Sequence, residues 1–124
     1  MFMKHSTKIV LSFVATFLFT FLSLHSLVGK WTITGTNEYV NFKKDGTYEV
    51  YLPNGKVGEN GFYSLIDSVF KIKNAKPVCG DSYWGTYKLK FVGEDSVLFA
   101  LIEDSCSARR MDIVGYNPGL RRVK

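Results

Sequence analysis

From Lys30 onward, apolar residues recur at every second position in short runs, and turn residues interrupt those runs at nearly regular intervals. A period of two sends successive side chains to opposite faces of a strand, so the pattern predicts β-structure throughout. Trp31 and Ile33 alternate with Thr32 and Thr34, and Val40 and Phe42 with Asn41 and Lys43. Lys44-Asp45-Gly46 supplies a hairpin turn. Over 47–52, Tyr48, Val50 and Leu52 share a face opposite Thr47, Glu49 and Tyr51. Pro53-Asn54-Gly55 ends that strand, because proline cannot donate to a ladder and Asn-Gly readily takes positive φ. A strand over 61–65 turns at Asp67-Ser68 into one carrying Phe70 and Ile72. Tyr87, Leu89 and Phe91 then alternate with Thr86, Lys88 and Lys90, and Gly93-Glu94-Asp95 leads into 97–102, the most apolar strand, read with Leu98, Ala100 and Ile102 inward. The last strand is predicted over 111–116, with Met111 and Ile113 inward. Arg121, Arg122 and Lys124 read as a frayed, solvated basic tail after Asn117-Pro118-Gly119, with attraction to an anionic surface as the alternative.

Eight such strands, joined by connections too short for crossover helices, make an antiparallel meander. A weak repeat supports it: Gly46-Thr47-Tyr48-Glu49-Val50, Gly61-Phe62-Tyr63-Ser64-Leu65 and Gly85-Thr86-Tyr87-Lys88-Leu89 each start a strand with Gly-x-Tyr-x-aliphatic. Closing the sheet hides the apolar face and removes exposed edges. The expected fold is all-β, a small eight-stranded antiparallel up-and-down barrel over residues 27–124.

The first 26 residues break the pattern, with a basic start at Lys4 and Lys8, a 16-residue apolar run from Ile9 to Leu24, and five of the ten phenylalanines. As a helix rising ~1.5 Å per residue the run spans roughly 24 Å, short of the ~30 Å hydrocarbon core. Residues 1–26 therefore read as a hydrophobic signal segment. Cleavage after Ser26 or Ser23 would put Leu24 or Phe21 where a small residue is preferred, which keeps an uncleaved membrane anchor as the alternative. Either way the domain is expected outside the cytoplasm, secreted or periplasmic, with no stable membrane span once the leader is removed. In that compartment Cys79 and Cys106 are expected to form a disulfide worth about 3 to 4 kcal/mol of loop-closure entropy. Two free thiols are the other possibility, without C-x-x-C spacing to support them.

Charge and chemistry narrow the function by exclusion. The 98 residues from 27 to 124 carry 14 Lys/Arg against 11 Asp/Glu, too balanced for a nucleic-acid-binding stripe. Both histidines, His5 and His25, lie in the leader, so the domain has no imidazole for a general base, a triad or a metal. It also shows no Gly-x-Ser-x-Gly elbow, phosphate loop or cysteine-rich metal spacing. No enzymatic activity, cofactor or metal is expected. Asp104 reads with Arg109 as a structural ion pair bracing the cysteine loop.

Leu27-Val28-Gly29-Lys30-Trp31 resembles the Gly-x-Trp opening of lipocalins and related calycins, and Phe42-Lys43-Lys44-Asp45-Gly46-Thr47-Tyr48 is similar to the second hairpin of such domains. The apolar strand running into Asp104-Ser105-Cys106-Ser107-Ala108-Arg109 resembles the Asp-x-Cys-x-x-Arg pattern of small secreted lipocalin-like proteins. The resemblance implies a calycin-type barrel whose tryptophan packs at the closed end against a late basic residue, making Trp31 and Arg109 or Arg110 a cation–π pair. It also implies a small apolar or amphipathic ligand. Tyr48, Tyr63 and Tyr87, brought side by side by the repeat, would line the mouth with Phe42 and Phe91. Alternatively these are core aromatics of a filled, disulfide-braced barrel that acts through its surface as an envelope interaction module or inhibitor. Tyr83-Trp84, beside Cys79, is the candidate patch for that role.

Overall fold

A computed structural model describes residues 26–80, 83–115 and 119–124. The leader therefore lies outside the described residues, apart from Ser26. Eight strands run in chain order, β1 (Gly29–Ile33), β2 (Tyr39–Phe42), β3 (Thr47–Tyr51), β4 (Val57–Ile66), β5 (Val69–Asn74), β6 (Gly85–Val92), β7 (Ser96–Glu103) and β8 (Gly119–Arg122). Each pairs antiparallel with its sequence neighbours and β8 returns to β1, closing the barrel. This all-β, up-and-down architecture is compatible with a lipocalin-like fold.

The predicted turns form for local reasons. Asp45 Oδ1 accepts from the Thr47 amide at 3.0 Å and the Thr47 hydroxyl at 2.6 Å, and Gly46 takes φ +87°, a left-handed conformation that glycine adopts freely. Around Pro53-Asn54-Gly55 the Leu52 amide donates to Lys56 O at 2.8 Å. The core then follows the alternation: Trp31, Val40, Phe42, Tyr48, Phe70, Ile72, Tyr87 and Leu89 are all buried.

Three expectations near the C-terminus are corrected. The segment after Cys106 is no strand: Ser107–Arg110 forms one helical turn, α1, and Met111–Gly115 a π-helical turn, while Tyr116 lies outside the described residues. Met-Asp-Ile-Val is too short to separate a period of two from a helical turn. The presumed tail is instead strand β8, in which Leu120 faces inward between Ile33 and Val97, and Arg121 and Arg122 pair with Thr32 and Trp31. Without it, β1 and β7 would present two open edges.

The third correction concerns β7, whose phase is opposite to that expected. Val97 is fully buried and Phe99 packs on the core, whereas Leu98 and Ile102 are exposed. The strand is apolar on both faces, so its own alternation carries no phase. The turn at 93–95 decides it, pairing Leu98 with Lys90 and Ala100 with Lys88, both outward-facing lysines. Met111 is likewise exposed rather than inward, while Ile113 packs against the core.

Candidate functional site

The barrel has unlike ends. At the N-terminal end of β1 the Trp31 indole is fully buried and donates to Leu27 O at 2.8 Å. The arginine over its ring is Arg122, 4.2 Å from the centroid, and not Arg109 or Arg110. Arg122 also donates to Ser26 O at 2.7 Å and Glu94 O at 3.3 Å, tying the segment before β1 to the β6–β7 turn. This end is sealed.

The other end, formed by the β1–β2, β3–β4, β5–β6 and β7–β8 connections, opens into a cavity of about 550 Å³. Val40, Val50, Phe70, Ile72, Phe99 and Leu120 supply apolar wall, and Ile113 reaches it from the π-helical turn. Polar groups enter the lining at this end: Thr36 and Glu38 from the β1–β2 connection, Glu59 from the start of β4, Asn74 from the end of β5, and Arg109 and Asp112 from the β7–β8 connection. A volume of this size falls within the range of small-molecule sites, roughly 300–1,000 Å³.

A buried polar cluster runs from the lining residues Tyr48, Asn74 and Arg109 back to Asp104 and Tyr87. The Arg109 guanidinium grips Asp104 through Nε at 2.8 Å and Nη2 at 2.7 Å, and its Nη1 donates to Asn74 Oδ1 at 3.0 Å. Asn74 Nδ2 donates to the Tyr48 hydroxyl at 3.3 Å, and the Tyr87 hydroxyl donates to Asp104 Oδ2 at 2.5 Å. Burial works to raise the Asp104 carboxyl, but hydrogen bonds from Arg109, Tyr87 and the Cys106 amide outweigh it and hold the group below its usual range. Burial pushes the Tyr48 and Tyr87 hydroxyls well above the ordinary phenol range, so both remain neutral.

The Cys79–Cys106 disulfide, with Cα atoms 5.6 Å apart, ties the β5–β6 connection to the start of α1 and so holds Arg109 over Asp104. Gly85 makes room for the pair: a Cβ there would lie 2.4 Å from Asp104 Oδ2 and 3.0 Å from Arg109 Nε.

The sequence-selected aromatics are thereby separated. Phe42 and Tyr48 line the cavity. Tyr87 sits outside the lining with its hydroxyl on Asp104. Tyr63 lies toward the sealed end, where its hydroxyl donates to Lys43 O at 2.6 Å and its ring meets Phe42 edge-on at 4.8 Å. Phe91 packs on the core outside the cavity lining. Trp84 stands on the outer surface with Lys73 Nζ 5.5 Å above its ring.

Sequence reasoning missed Glu38, Glu59, Asn74 and Asp112. Glu59 had a signal: it is in phase with Gly61 and Tyr63 and stands opposite inward-facing Val50. An acid at such a position is the departure from alternation that marks a site. Glu59 and Asp112 stand exposed at the cavity mouth, where partial desolvation raises both carboxyls; at Glu59 repulsion from Asp112 and Glu38 adds to it and Arg109 opposes it. Among the described residues no group of His, Cys, Asp or Glu is arranged to hold a metal ion. Comparison of the chain with protein-family models, curated proteins and solved structures finds no match.

Proposed function

We propose that this is an exported lipocalin-like binding protein that takes a small amphipathic molecule into the open end of its barrel. The observation that carries the reading is the cavity of about 550 Å³, walled by Val40, Val50, Phe70 and Phe99 and rimmed by polar side chains. Apolar walls supply affinity without direction; the few polar groups orient what enters. Export is supported by the leader pattern of residues 1–26 and by the disulfide, which persists in oxidising compartments. Within this reading Phe42 and Tyr48 contact the ligand, whereas Tyr63, Tyr87 and Phe91 act through packing behind it.

Native mass spectrometry of protein purified from its own host, together with displacement of a fluorescent amphiphile, tests the reading. A co-purifying small molecule or saturable displacement is expected; an empty, unresponsive barrel would sink it.

A surface role is the second reading, favoured by the outer face of β4–β7. Phe62, Ile66, Leu98 and Ile102 are exposed there among Lys71, Lys73, Lys88 and Lys90. Salt-sensitive binding to anionic vesicles by a protein that ignores every amphiphile would favour it.

A further inference from the structure

The charges around the cavity discriminate among amphiphiles, a point that rests on the cavity being a binding cup. We propose that the preferred ligand is an amphipathic cation, an amine or quaternary ammonium group carried on an apolar body, with its head among Glu38, Glu59 and Asp112. These three carboxylates come from three different segments: the β1–β2 connection, an inward position of β4, and the π-helical turn. All three line one cavity, and no ion pair reaches any of them among the described residues.

Among the described residues Arg109 is the single cation in the lining, and it is committed to Asp104 through two nitrogens and to Asn74 through a third. Lys76 borders a smaller adjoining cavity that Glu59 shares, and forms no ion pair with it. The formal charge of the main lining is therefore −2, and the arginine's charge is already balanced by an acid behind the wall. An anionic head would meet three carboxylates and a spent arginine. A cationic head offsets their mutual repulsion. An apolar body on the cation would fill the interior walled by Val40, Val50, Phe70 and Phe99.

Calorimetric titration of the purified protein at neutral pH and low salt with decyltrimethylammonium, decanol and decanoate separates charge from chain. The ammonium is expected to bind at least about tenfold tighter than the alcohol, with the carboxylate weakest. In a Glu59→Gln/Asp112→Asn variant with unchanged circular dichroism, the ammonium and alcohol affinities should converge to within about threefold while the alcohol affinity holds. Decanoate binding as tightly as the ammonium, or a preference that survives the double substitution, overturns the proposal. Alcohol binding with no charge preference removes the cation and leaves the cup; heat with none of the three removes both.

Discussion

At the sealed end of the barrel Trp31 is fully buried, roofed by Arg122 and hydrogen-bonded to the chain that precedes it, whereas at the open end the same strands diverge around a cavity and its acids. Packing and backbone hydrogen bonds hold the first. The second depends on a disulfide and a buried polar cluster, Asp104–Arg109–Asn74 with two tyrosine hydroxyls. A barrel interior cannot be both filled and receptive, so this molecule fills one end and leaves the other to be held apart by cross-links. The proposed binding function therefore falls at the end whose stability rests on cross-links, away from the end that packing fills.

Substitutions can break this division. The largest expected effect is at the sealed end: Trp31→Ala should cost about 4 kcal/mol in denaturant unfolding, from a void that its neighbours cannot fill. At the open end, Asp104→Asn leaves the Arg109 charge buried without its partner and should cost about 3 to 4 kcal/mol. An Asp104→Leu/Arg109→Met double variant should recover only part of that loss, because it removes both charges but leaves the Tyr87 hydroxyl, Asn74 and the Cys106 amide without their partners. Serine at both Cys79 and Cys106 should cost about 3 kcal/mol and weaken amphiphile binding as well, since the β5–β6 connection and α1 are then untethered. Tyr63→Phe, which loses one hydrogen bond near the sealed end, should cost about 1 kcal/mol in thermal unfolding and leave binding unchanged.

Acid and base titrations sharpen the comparison within the open end itself. The Asp104 carboxyl is held below its usual range in the folded barrel, so its stabilisation is present above the unfolded-state value of about 4 and is lost as pH falls through the folded one. Glu59 has the opposite sign: its contribution is complete below the unfolded-state carboxylate range and is lost as pH rises through its raised folded value. Glu59→Gln should therefore flatten the stability profile just above pH 4, and Asp104→Asn should flatten it below. Equal acid limbs in wild type and Asp104→Asn would contradict the first assignment.

Much of this was legible in the order of residues, and the exceptions have physical causes. Strands β2, β5 and β6 alternate because one face is buried and the other meets water, and Asp45-Gly46 and Asn54-Gly55 mark turns through their backbone preferences. The Asp104–Arg109 pair could be anticipated from spacing, but its wider cluster could not. Asn74 reaches Arg109 from 35 residues away and Tyr48 from 26. All three cavity acids were missed: Glu59 lies two residues before the strand predicted over 61–65, Asp112 depends on a π-helical turn and Glu38 on the path of a loop.

The chain's own order of apolar and polar residues determined that it would pleat, where most hairpins would reverse, and which face of the first six strands would be dry, because those outcomes depend on neighbours a few positions apart. Closure was settled only in three dimensions. Two arginines and a leucine that look like a loose end become a strand because β1 and β7 leave a gap with unpaired amides and carbonyls on both sides. The same long-range pairing chose the buried face of β7, moved Tyr63 to the sealed end and set three acids around one opening, since only contacts between distant segments could make those choices.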